Sequence, residues 1–317
     1  MTDLLSATPE GYTEAARLLG RGELVAFATE TVYGLGGDAR NSEAVAAIYT
    51  AKGRPKFNPL IVHVHSVEMA ERYVTIPEAA RPLIARYWPG PLTLVLPLRP
   101  DAGISDLVTA ELDTLAIRMP AHPVARKLLQ EYDGPLAAPS ANPSGRISPT
   151  TAAHVMDGLS GRIAAVLEGG ACGVGVESTI LSLDPLALLR PGGLALEEIE
   201  ATLGRALPTG GNADKPNAPG QLKSHYAPGA AVRLNATDRQ SGEIWIGFGS
   251  HCAGADFNLS EAGDTTEAAT RLFGLLREAD ALAQQKGASC IAVAPVPDTG
   301  LGLAVNDRLD RAAAPRP

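Results

Sequence analysis

Two stretches decide how this chain is interpreted: Thr29-Glu30-Thr31-Val32-Tyr33-Gly34-Leu35 and Lys52-Gly53-Arg54-Pro55-Lys56-Phe57-Asn58-Pro59. The first follows a short apolar segment, residues 24–28, and predicts a polar loop at the end of a strand. The second places three cations in a loop stiffened by glycine and proline. Backbone amides, hydroxyls and fixed cations suit a polyanion such as a nucleotide triphosphate. The alternatives are an ordinary strand-to-helix turn and a helix C-terminus that carries cations.

Composition places the chain among ordinary globular proteins. Its 317 residues suffice for about two domains, and 45% of them are hydrophobic and 20% charged. The formal net charge of −8 argues against non-specific nucleic-acid binding, which needs a basic face. Aromatic residues make up 4% of the chain, so there is little material for stacking bases.

The cysteines and the hydrophobic runs point to a cytoplasmic protein. Cys172, Cys252 and Cys290 are far apart and form no CxxC pair, so neither a zinc ribbon nor a disulfide framework is supported. The N-terminus lacks a basic-then-apolar signal segment, and no apolar run reaches membrane-spanning length. We expect reduced thiols in a cytoplasmic location.

The first two hundred residues alternate between helical and strand-like patterns, which predicts an α/β fold with a mixed sheet. Predicted helices span residues 10–19, 43–51, 79–87, 124–132, 150–159 and 196–203, and predicted strands span 24–28, 60–64, 92–96, 115–119, 136–138, 163–167, 178–183 and 186–189. Asn41 or Ser42 is expected to cap the second helix, and Ser148 with Pro149 to begin the helix at 150–159.

The chain divides into three parts. Residues 1–207 form the larger predicted domain, residues 208–229 form a linker or lid rich in glycine and proline, and residues 230–317 form a small Rossmann-like domain. In this small domain, strands are predicted at 231–234, 244–248 and 290–294, and helices at 266–285 and 303–312, with Thr265 as a cap.

Further candidate residues lie near predicted strand ends. His63 and His65 alternate on one strand and share a face, so a metal pair is conceivable, but no third ligand has motif spacing. A hydrogen bond from one of them to a substrate is the stronger interpretation. Arg118 ends an apolar strand, where it either reaches solvent or holds a carboxylate at the sheet edge.

Two later loops extend the pattern. The loop at 138–145 either lies on the surface or binds a nucleotide, because it leads to a helix N-terminus at Ser148, and such ends bind anions. Ser178 has no GxSxG frame, which disfavours a nucleophilic serine, so Ser178 and Arg190 are interpreted as ligand contacts. Neither a Walker GxxxxGK[ST] motif nor a full GxGxxG motif occurs.

Taken together, these segments resemble the YrdC/TsaC family of L-threonylcarbamoyl-adenylate synthases over most of residues 12–200. The sequence Ser224-His225-Tyr226-Ala227-Pro228 and the C-terminal part resemble the long, two-domain form of that family. The resemblance implies an α/β fold with a YrdC-like twisted mixed sheet and a concave, positively charged cavity. It also implies a smaller Rossmann-like C-terminal domain and a linker that folds over the cavity.

The same resemblance implies a reaction. The family converts L-threonine, bicarbonate or CO2 and ATP into threonylcarbamoyl-AMP and pyrophosphate. The product supplies N6-threonylcarbamoyladenosine (t6A37) and passes to the tRNA threonylcarbamoyl-transfer machinery. Mg²⁺ is expected to be held mainly by the ATP phosphates. No membrane and no strong direct nucleic-acid binding are expected.

Residue roles follow from the resemblance, position by position. The catalytic tetrad falls on Lys52, Arg54, Ser140 and Asn142. Threonine contacts fall on Thr31, His63, Arg118, Ala138 and Ser178. ATP contacts fall on Arg54, Asn58, Thr114, Ser140, Ser148, Arg190, His225 and Tyr226.

The chain departs from the family pattern at two places. Ala28 stands where the family usually has proline, and the linker reads Ala218-Pro219-Gly220-Gln221-Leu222-Lys223 where the family commonly has Ser-Pro-Gly-Met-Lys-Tyr. Neither change removes a charged contact. The alternative functions are a carbamoyl-transfer enzyme and an RNA-binding module without catalysis.

Overall fold

The computed structural model describes residues 1–55, 58–210 and 225–315. Its strands are β1 Asp3–Leu5, β2 Val25–Phe27, β3 Gly34–Asp38, β4 Ile61–His63, β5 Leu92–Pro97, β6 Thr114–Arg118, β7 Leu136–Ala137, β8 Ala165–Leu167, β9 Thr179–Leu183, β10 Leu186–Arg190, β11 Ala231–Arg233, β12 Glu243–Gly247, β13 Phe257–Asn258 and β14 Cys290–Val293. Its α-helices are α1 Pro9–Gly20, α2 Ser42–Lys52, α3 Val67–Tyr73, α4 Arg81–Tyr87, α5 Asp106–Thr109, α6 Pro123–Tyr132, α7 Ala152–Leu159, α8 Leu196–Leu203, α9 Thr265–Lys286 and α10 Gly302–Ala313.

The N-terminal domain, β1 to α8, is built on a large mixed sheet. Its ten strands follow the order β1-β8-β2-β3-β7-β4-β6-β5-β9-β10. Strand β2 is antiparallel to β3 and parallel to β8, and β6 is parallel to β4 and antiparallel to β5. The predicted mixed sheet is therefore confirmed. The parallel pair β4–β6 brings two strand C-termini, His63 and Arg118, side by side.

The C-terminal domain, β11 to α10, contains a four-stranded sheet in the order β11-β14-β12-β13, and every pair in it is parallel. Helix α9 packs on β12 and β14, and α10 packs on α9 and β11. Apolar residues of α9 recur at helical spacing and are buried in this core, for example Leu272, Leu276 and Ala279. The prediction of a second, smaller α/β domain is confirmed.

Strand β3 corrects the sequence analysis, which treated residues 29–37 as a loop. Gly36 lies across β2, and a Cβ atom there would sit 2.9 Å from the Phe27 ring and 3.2 Å from the Val25 carbonyl oxygen. The residue is glycine because the Phe27 ring occupies the space of a side chain. Packing against β2 thus outweighs the low strand propensity of glycine.

Two predicted helix caps are wrong and one is confirmed. Helix α7 begins at Ala152 and is capped by Thr151, whose Oγ1 accepts from the His154 amide, so Ser148 and Pro149 precede it. Asp264, rather than Thr265, caps α9. Asn41 caps α2 as predicted, and its Oδ1 accepts from the first-turn amides.

Four short elements were missed: β1, β13, α3 and α5. None exceeds seven residues, so none displays enough repeats of its hydrophobic period to be recognised. Within the ranges that the structure describes, no helix has both the length and the apolar character needed to cross a membrane.

The two domains share an apolar cluster. Val32, Ile147 and Val176 of the N-terminal domain are buried together with Tyr226 and Phe273. All three N-terminal residues lie on loops that also border the functional residues predicted above. The C-terminal domain therefore packs directly behind the predicted site, and the chain at 225–228 lies between the domains. Residues 56, 57 and 211–224, including the departure at 218–223, lie outside the described part.

Candidate active site

The loop after β2 is organised by a single hydroxyl. Thr29 Oγ1 accepts from the amides of Thr31 and Val32, each at 3.2 Å, and donates to the Val32 carbonyl at 2.6 Å. The Thr31 hydroxyl lies 2.8 Å from the Thr29 hydroxyl. This local turn holds both threonine side chains on the concave side of the sheet.

A cavity opens in front of this turn, where β4, β6 and β7 end. Its walls come from the N-terminal domain and from the end of the linker, and they include Thr29, Thr31, Val32, Gly34, Arg54, Ile61, His63, Arg118, Ala138, Pro139, Ser140, Glu177, Ser178, Arg190, His225 and Tyr226. Ten of the predicted site residues belong to this wall. Segments up to 197 residues apart in the sequence, at Thr29 and Tyr226, thus meet in one hollow.

Arg118 is buried at the end of β6, and its guanidinium is already engaged. Nη1 donates to Thr31 Oγ1 at 2.9 Å, Nη2 to Glu30 Oε1 at 2.5 Å, and Nε to the Gly90 carbonyl at 3.1 Å. Burial opposes ionisation of Glu30, but Arg118 outweighs it and lowers the pKa of that carboxyl. Arg118 is therefore oriented by Glu30, and a substrate carboxylate has to share it.

His63 lies beside Arg118 and is neutral. Burial, with a smaller contribution from the Arg118 charge, lowers the pKa of His63 to about 3. Its ring meets the Phe27 ring edge-on at 6.2 Å, and its Nδ1 has no partner among the described residues. The unpaired nitrogen of a buried neutral imidazole is free to bind a substrate.

His65 does not share this site. Strand β4 ends at His63, and His65 Nε2 lies 3.2 Å from Asp133 Oδ1 near the surface. The predicted shared face of the two histidines is therefore wrong, because the alternation of a strand does not extend past its end. The described residues contain no group of three side chains able to hold a metal ion.

Lys52, the last residue of α2, pins the loop that follows β7. Its Nζ donates to the carbonyl oxygens of Ser140 and Asn142, each at 2.5 Å. Lys52 is buried and has no carboxylate ion pair within the described ranges. Burial, followed by the neighbouring Arg54 charge, places the pKa of Lys52 well below its usual value. The left-handed Gly53 ends the helix and turns the chain toward Arg54.

Arg54 enters the cavity from the loop after α2. It donates from Nη2 to the Pro59 carbonyl at 3.0 Å and from Nε to the Asn58 carbonyl at 3.4 Å. Burial lowers the pKa of Arg54 to about 10, so the side chain remains a cation at neutral pH. The amide oxygens of Asn58 and Asn142 are buried without a partner in the parts of the chain that are described.

A further part of the cavity wall lies at β9 and β10. Arg190 donates to the Ser178 carbonyl at 2.8 Å and to the Ser178 hydroxyl at 3.2 Å, and that hydroxyl lies 2.7 Å from Thr93 Oγ1. Burial lowers the pKa of Arg190, and the charge of Glu177 opposes this shift. The antiparallel pairing of β9 with β10 brings these two residues together.

Ser148 does not begin a helix, and its partner was missed by the sequence analysis. It donates to Glu177 Oε1 at 2.5 Å, while Glu177 Oε2 accepts from Arg308 Nε at 3.0 Å. Glu177 lines the cavity, and Arg308 comes from α10 of the other domain. Because 131 residues separate these two partners, no local spacing in the sequence could have paired them.

His225 and Tyr226, which follow the undescribed part of the linker, line the cavity. The His225 and Tyr226 rings meet edge to face at 4.1 Å, and Tyr226 stacks on Phe273 at 5.4 Å. Burial lowers the pKa of His225 to about 3 and raises the pKa of Tyr226 to about 12. Both side chains are therefore neutral near pH 7.

Thr114 is the one predicted residue that lies apart. It begins β6, pairs with Pro97 and is partly exposed, whereas Arg118 ends the strand. The four-residue separation corresponds to about 13 Å along a strand. The backbone of Ala138, by contrast, continues the β7 edge into the cavity, because its amide donates to the Ile61 carbonyl at 2.9 Å.

Two family models match this chain in tandem. The Sua5/YciO/YrdC model, described as "Telomere recombination", matches residues 17–192, and the model described as "Threonylcarbamoyl-AMP synthase, C-terminal domain" matches residues 194–314. The chain belongs to the Sua5/YciO/YrdC family. The tandem match gives it the long, two-domain form, as the sequence analysis predicted.

Relatives within the Sua5/YciO/YrdC family are similar over their full length. The threonylcarbamoyl-AMP synthase of Bacillus subtilis is 43% identical, with 100% of this chain and 96% of the relative covered. The threonylcarbamoyl-AMP synthase of Pyrococcus abyssi is 45% identical, with 95% and 94% covered. The crystal structure of P. abyssi Sua5 complexed with L-threonine has a TM-score of 0.89 and 40% identity, and covers 99% of this chain and 97% of that one.

Proposed function

We propose that this protein is a threonylcarbamoyl-AMP synthase, which forms threonylcarbamoyl-AMP and pyrophosphate from L-threonine, bicarbonate or CO2 and ATP. The observation that carries the proposal is the single cavity whose wall contains two groups of residues, here called its sides. Arg118, Thr31 and His63 form the first, joined by a hydrogen bond and by the β4–β6 pairing, and the cations Arg54 and Arg190 form the second. One side suits an amino acid and the other a triphosphate. The full-length synthase relatives favour this function over a carbamoyl-transfer enzyme or an RNA-binding module.

The amino-acid side of the cavity is proposed to bind threonine through three kinds of group. The Arg118 guanidinium, oriented by Glu30, takes the substrate carboxylate together with the Thr31 hydroxyl. The unpaired Nδ1 of neutral His63 and the Ser178 hydroxyl supply further hydrogen bonds. None of these groups carries a negative charge toward the carboxylate.

The chemistry is proposed to run in two steps. The threonine amine nitrogen attacks the carbon of CO2 and releases a proton to solvent, which forms a carbamate; if bicarbonate is the carbon source, one of its C–O bonds breaks and water leaves. A carbamate oxygen then attacks the α-phosphorus of ATP, the bond from that phosphorus to the bridging oxygen breaks, and pyrophosphate leaves. Catalysis of such a step is mostly positioning and stabilisation of charge.

The triphosphate side supplies that positioning. ATP brings about four negative charges, and Arg54 and Arg190 stand in the wall as cations. Lys52 donates to the carbonyl oxygens of Ser140 and Asn142 and so fixes this loop. The Ser140 side chain and the Asn142 amide oxygen, which has no partner among the described residues, are thereby held in fixed positions. The His225 and Tyr226 side chains cover the cavity, which shields a carbamate that water would otherwise destroy.

Mg²⁺ is proposed to enter as part of the MgATP substrate. Of the two carboxylates beside the cavity, Glu177 is bound on both oxygens by Ser148 and Arg308, and Glu30 is held by Arg118. These side chains do not form a carboxylate cage, and we assign no resident metal and derive no step through one. The cytoplasmic location and transfer of the product to the tRNA-modifying machinery for t6A37 belong to the same proposal.

Mass spectrometry tests the function directly. The protein is mixed with ATP, Mg²⁺, bicarbonate and threonine, and matched mixtures omit threonine or bicarbonate. We expect a threonine-dependent adenylate conjugate together with pyrophosphate. Pyrophosphate release that does not depend on threonine, with no conjugate, would contradict the proposal.

A further inference from the structure

Arg308 connects the C-terminal domain to the cavity wall. The side chain is 0% exposed, although it starts on α10, outside the N-terminal sheet. Its Nε donates to Glu177 at 3.0 Å, and its Nη1 donates to the Pro191 carbonyl at 2.6 Å and to the carboxylate of the adjacent Asp307 at 2.8 Å, which also pairs with Arg311. The Glu177 and Pro191 contacts touch the two loops that carry Ser178 and Arg190, so one guanidinium fixes both.

The ion pair between Arg308 and Glu177 affects the charge of the cavity wall. Glu177 lines the cavity, is buried, and faces the same space as Arg54 and Arg190. Burial alone would favour the neutral acid, but Arg308, Arg190 and Ser148 together lower the pKa of Glu177. A buried carboxylate in that wall repels a triphosphate unless a cation balances it.

The surroundings of Arg308 also reach the linker. Its guanidinium carbon lies 5.6 Å from the centre of the Tyr226 ring, a cation–π distance. Its Nη2 is buried and finds no partner in the described part of the chain. An arginine kept only for packing would be expected to have its buried donors satisfied. The arrangement therefore suits a functional role better than a purely structural one.

We infer that Arg308 is a positioning residue for ATP, supplied by the C-terminal domain to balance Glu177 and keep the triphosphate wall cationic. This inference rests on the proposed synthase function. It gives the C-terminal domain a direct part in nucleotide binding. It also predicts that the two partners of one ion pair act on ATP affinity in opposite directions.

The test uses the full chain and four variants: Arg308→Met, Glu177→Gln, the double variant, and Arg271→Met as a control. Arg271 lies on α9, is exposed and, within the described ranges, forms its ion pair with Glu267 at 3.2 Å. The Kd for ATP is measured by calorimetry without threonine, and kcat and the KM for each substrate by pyrophosphate release. Circular dichroism and Tm report folding.

We expect Arg308→Met to weaken ATP binding about tenfold or more, since it leaves a buried unpaired carboxylate in the wall. Glu177→Gln should leave the ATP Kd within about twofold of wild type or tighten it, and the double variant should recover most of the loss. The KM for threonine should change less than the Kd for ATP in every variant, because Arg118, Thr31 and His63 are untouched and only the Ser178 contact is near the changed ion pair. Arg271→Met should match wild type.

A merely structural ion pair predicts a different pattern. Both single variants would then weaken ATP binding, the double variant would be no better, and the inference would be overturned. If Arg308→Met does not fold, Glu177→Gln decides: retained ATP binding supports the inference, and lost binding overturns it. Wild-type protein that makes no threonine-dependent conjugate would instead refute the proposed function, whereas active wild type with an Arg308-insensitive ATP Kd refutes only this inference.

Discussion

The ammonium group of Lys52 donates to the backbone carbonyl of Ser140 at 2.5 Å, so the end of α2 holds the loop after β7. The contact joins residues 88 positions apart. The contact accounts for a buried lysine at this position, because its Nζ is a donor to two backbone carbonyl oxygens rather than to a carboxylate. Three ammonium protons can serve the Ser140 and Asn142 carbonyls at once.

Lys52→Met is therefore expected to lower kcat/KM by roughly a hundredfold or more, as found when one preorganised donor of an active site is removed. The Tm should also fall, because the Ser140 and Asn142 carbonyl oxygens lose their donor, so activity is measured well below the Tm of the variant. Pyrophosphate release and calorimetry measure the two effects. Lys127→Met is the control, since Lys127 is exposed on α6, where it forms a surface ion pair with Glu131. Retention of more than about a tenth of the activity would refute this role for Lys52.

Arg118→Met should act on the other substrate. It removes the guanidinium that Glu30 and Thr31 orient, and charge-assisted hydrogen bonds of this kind contribute about 1.5–3 kcal/mol. The KM for threonine should rise roughly 10- to 100-fold, while the Kd for ATP stays within about twofold. Steady-state kinetics with each substrate varied gives both values. Arg99→Met, a surface change, is the control. Equal losses for both substrates would contradict separate sides of the cavity.

The sequence predicted the residues that line the cavity better than the residues that hold them in place. Lys52, Arg54, Ser140 and Asn142 were grouped by resemblance, and the structure joins Lys52 to the Ser140 loop. Arg118 was expected to hold a carboxylate, but its pairing with Glu30 was not foreseen. Glu177 and Arg308 were missed entirely. Ion pairs between distant segments depend on tertiary packing, and single-sequence patterns describe only local order.

Predictions of local structure were wrong where tertiary packing outweighs local propensity. Glycines at 34, 36 and 37 indicated a loop, yet all three lie in β3, and at Gly36 the Phe27 ring leaves no room for a Cβ atom. Ser148 and Pro149 fit the statistics of a helix start, but Ser148 is drawn to Glu177 and Thr151 takes the cap. In both cases a long-range contact decides between local alternatives that the sequence leaves balanced.

Phe273→Leu should loosen the cover of the cavity. It keeps an apolar residue in the core and removes the ring on which Tyr226 stacks at 5.4 Å. Aromatic pairs contribute about 0.5–1.5 kcal/mol beyond burial, so the KM for ATP should rise about two- to tenfold. Phe248→Leu, in the same apolar cluster but with no ring partner among the described residues, is the control. If both variants change the KM equally, general loss of packing rather than the stack is responsible.

The neutral buried histidines make stability depend on pH. The pKa of His63 is about 3 in the folded protein and about 6.5 when unfolded. Between these values the unfolded state binds the extra proton, so the stability contribution is complete above pH 6.5 and is lost as the pH falls toward 3. From pH 7.5 to 5 the loss should be about 2 kcal/mol for His63, within a range where ordinary carboxylates stay largely ionised.

His63→Asn should therefore flatten the decline in the free energy of unfolding between pH 7.5 and pH 5. Denaturant titrations at the two pH values measure it. His225→Asn should act in the same direction, because burial also lowers the pKa of His225 to about 3. His65→Asn serves as the control, since His65 is partly exposed beside Asp133. A decline in His63→Asn as steep as in wild type would mean that His63 is protonated in the folded protein, and the imidazole could then not offer threonine a lone pair.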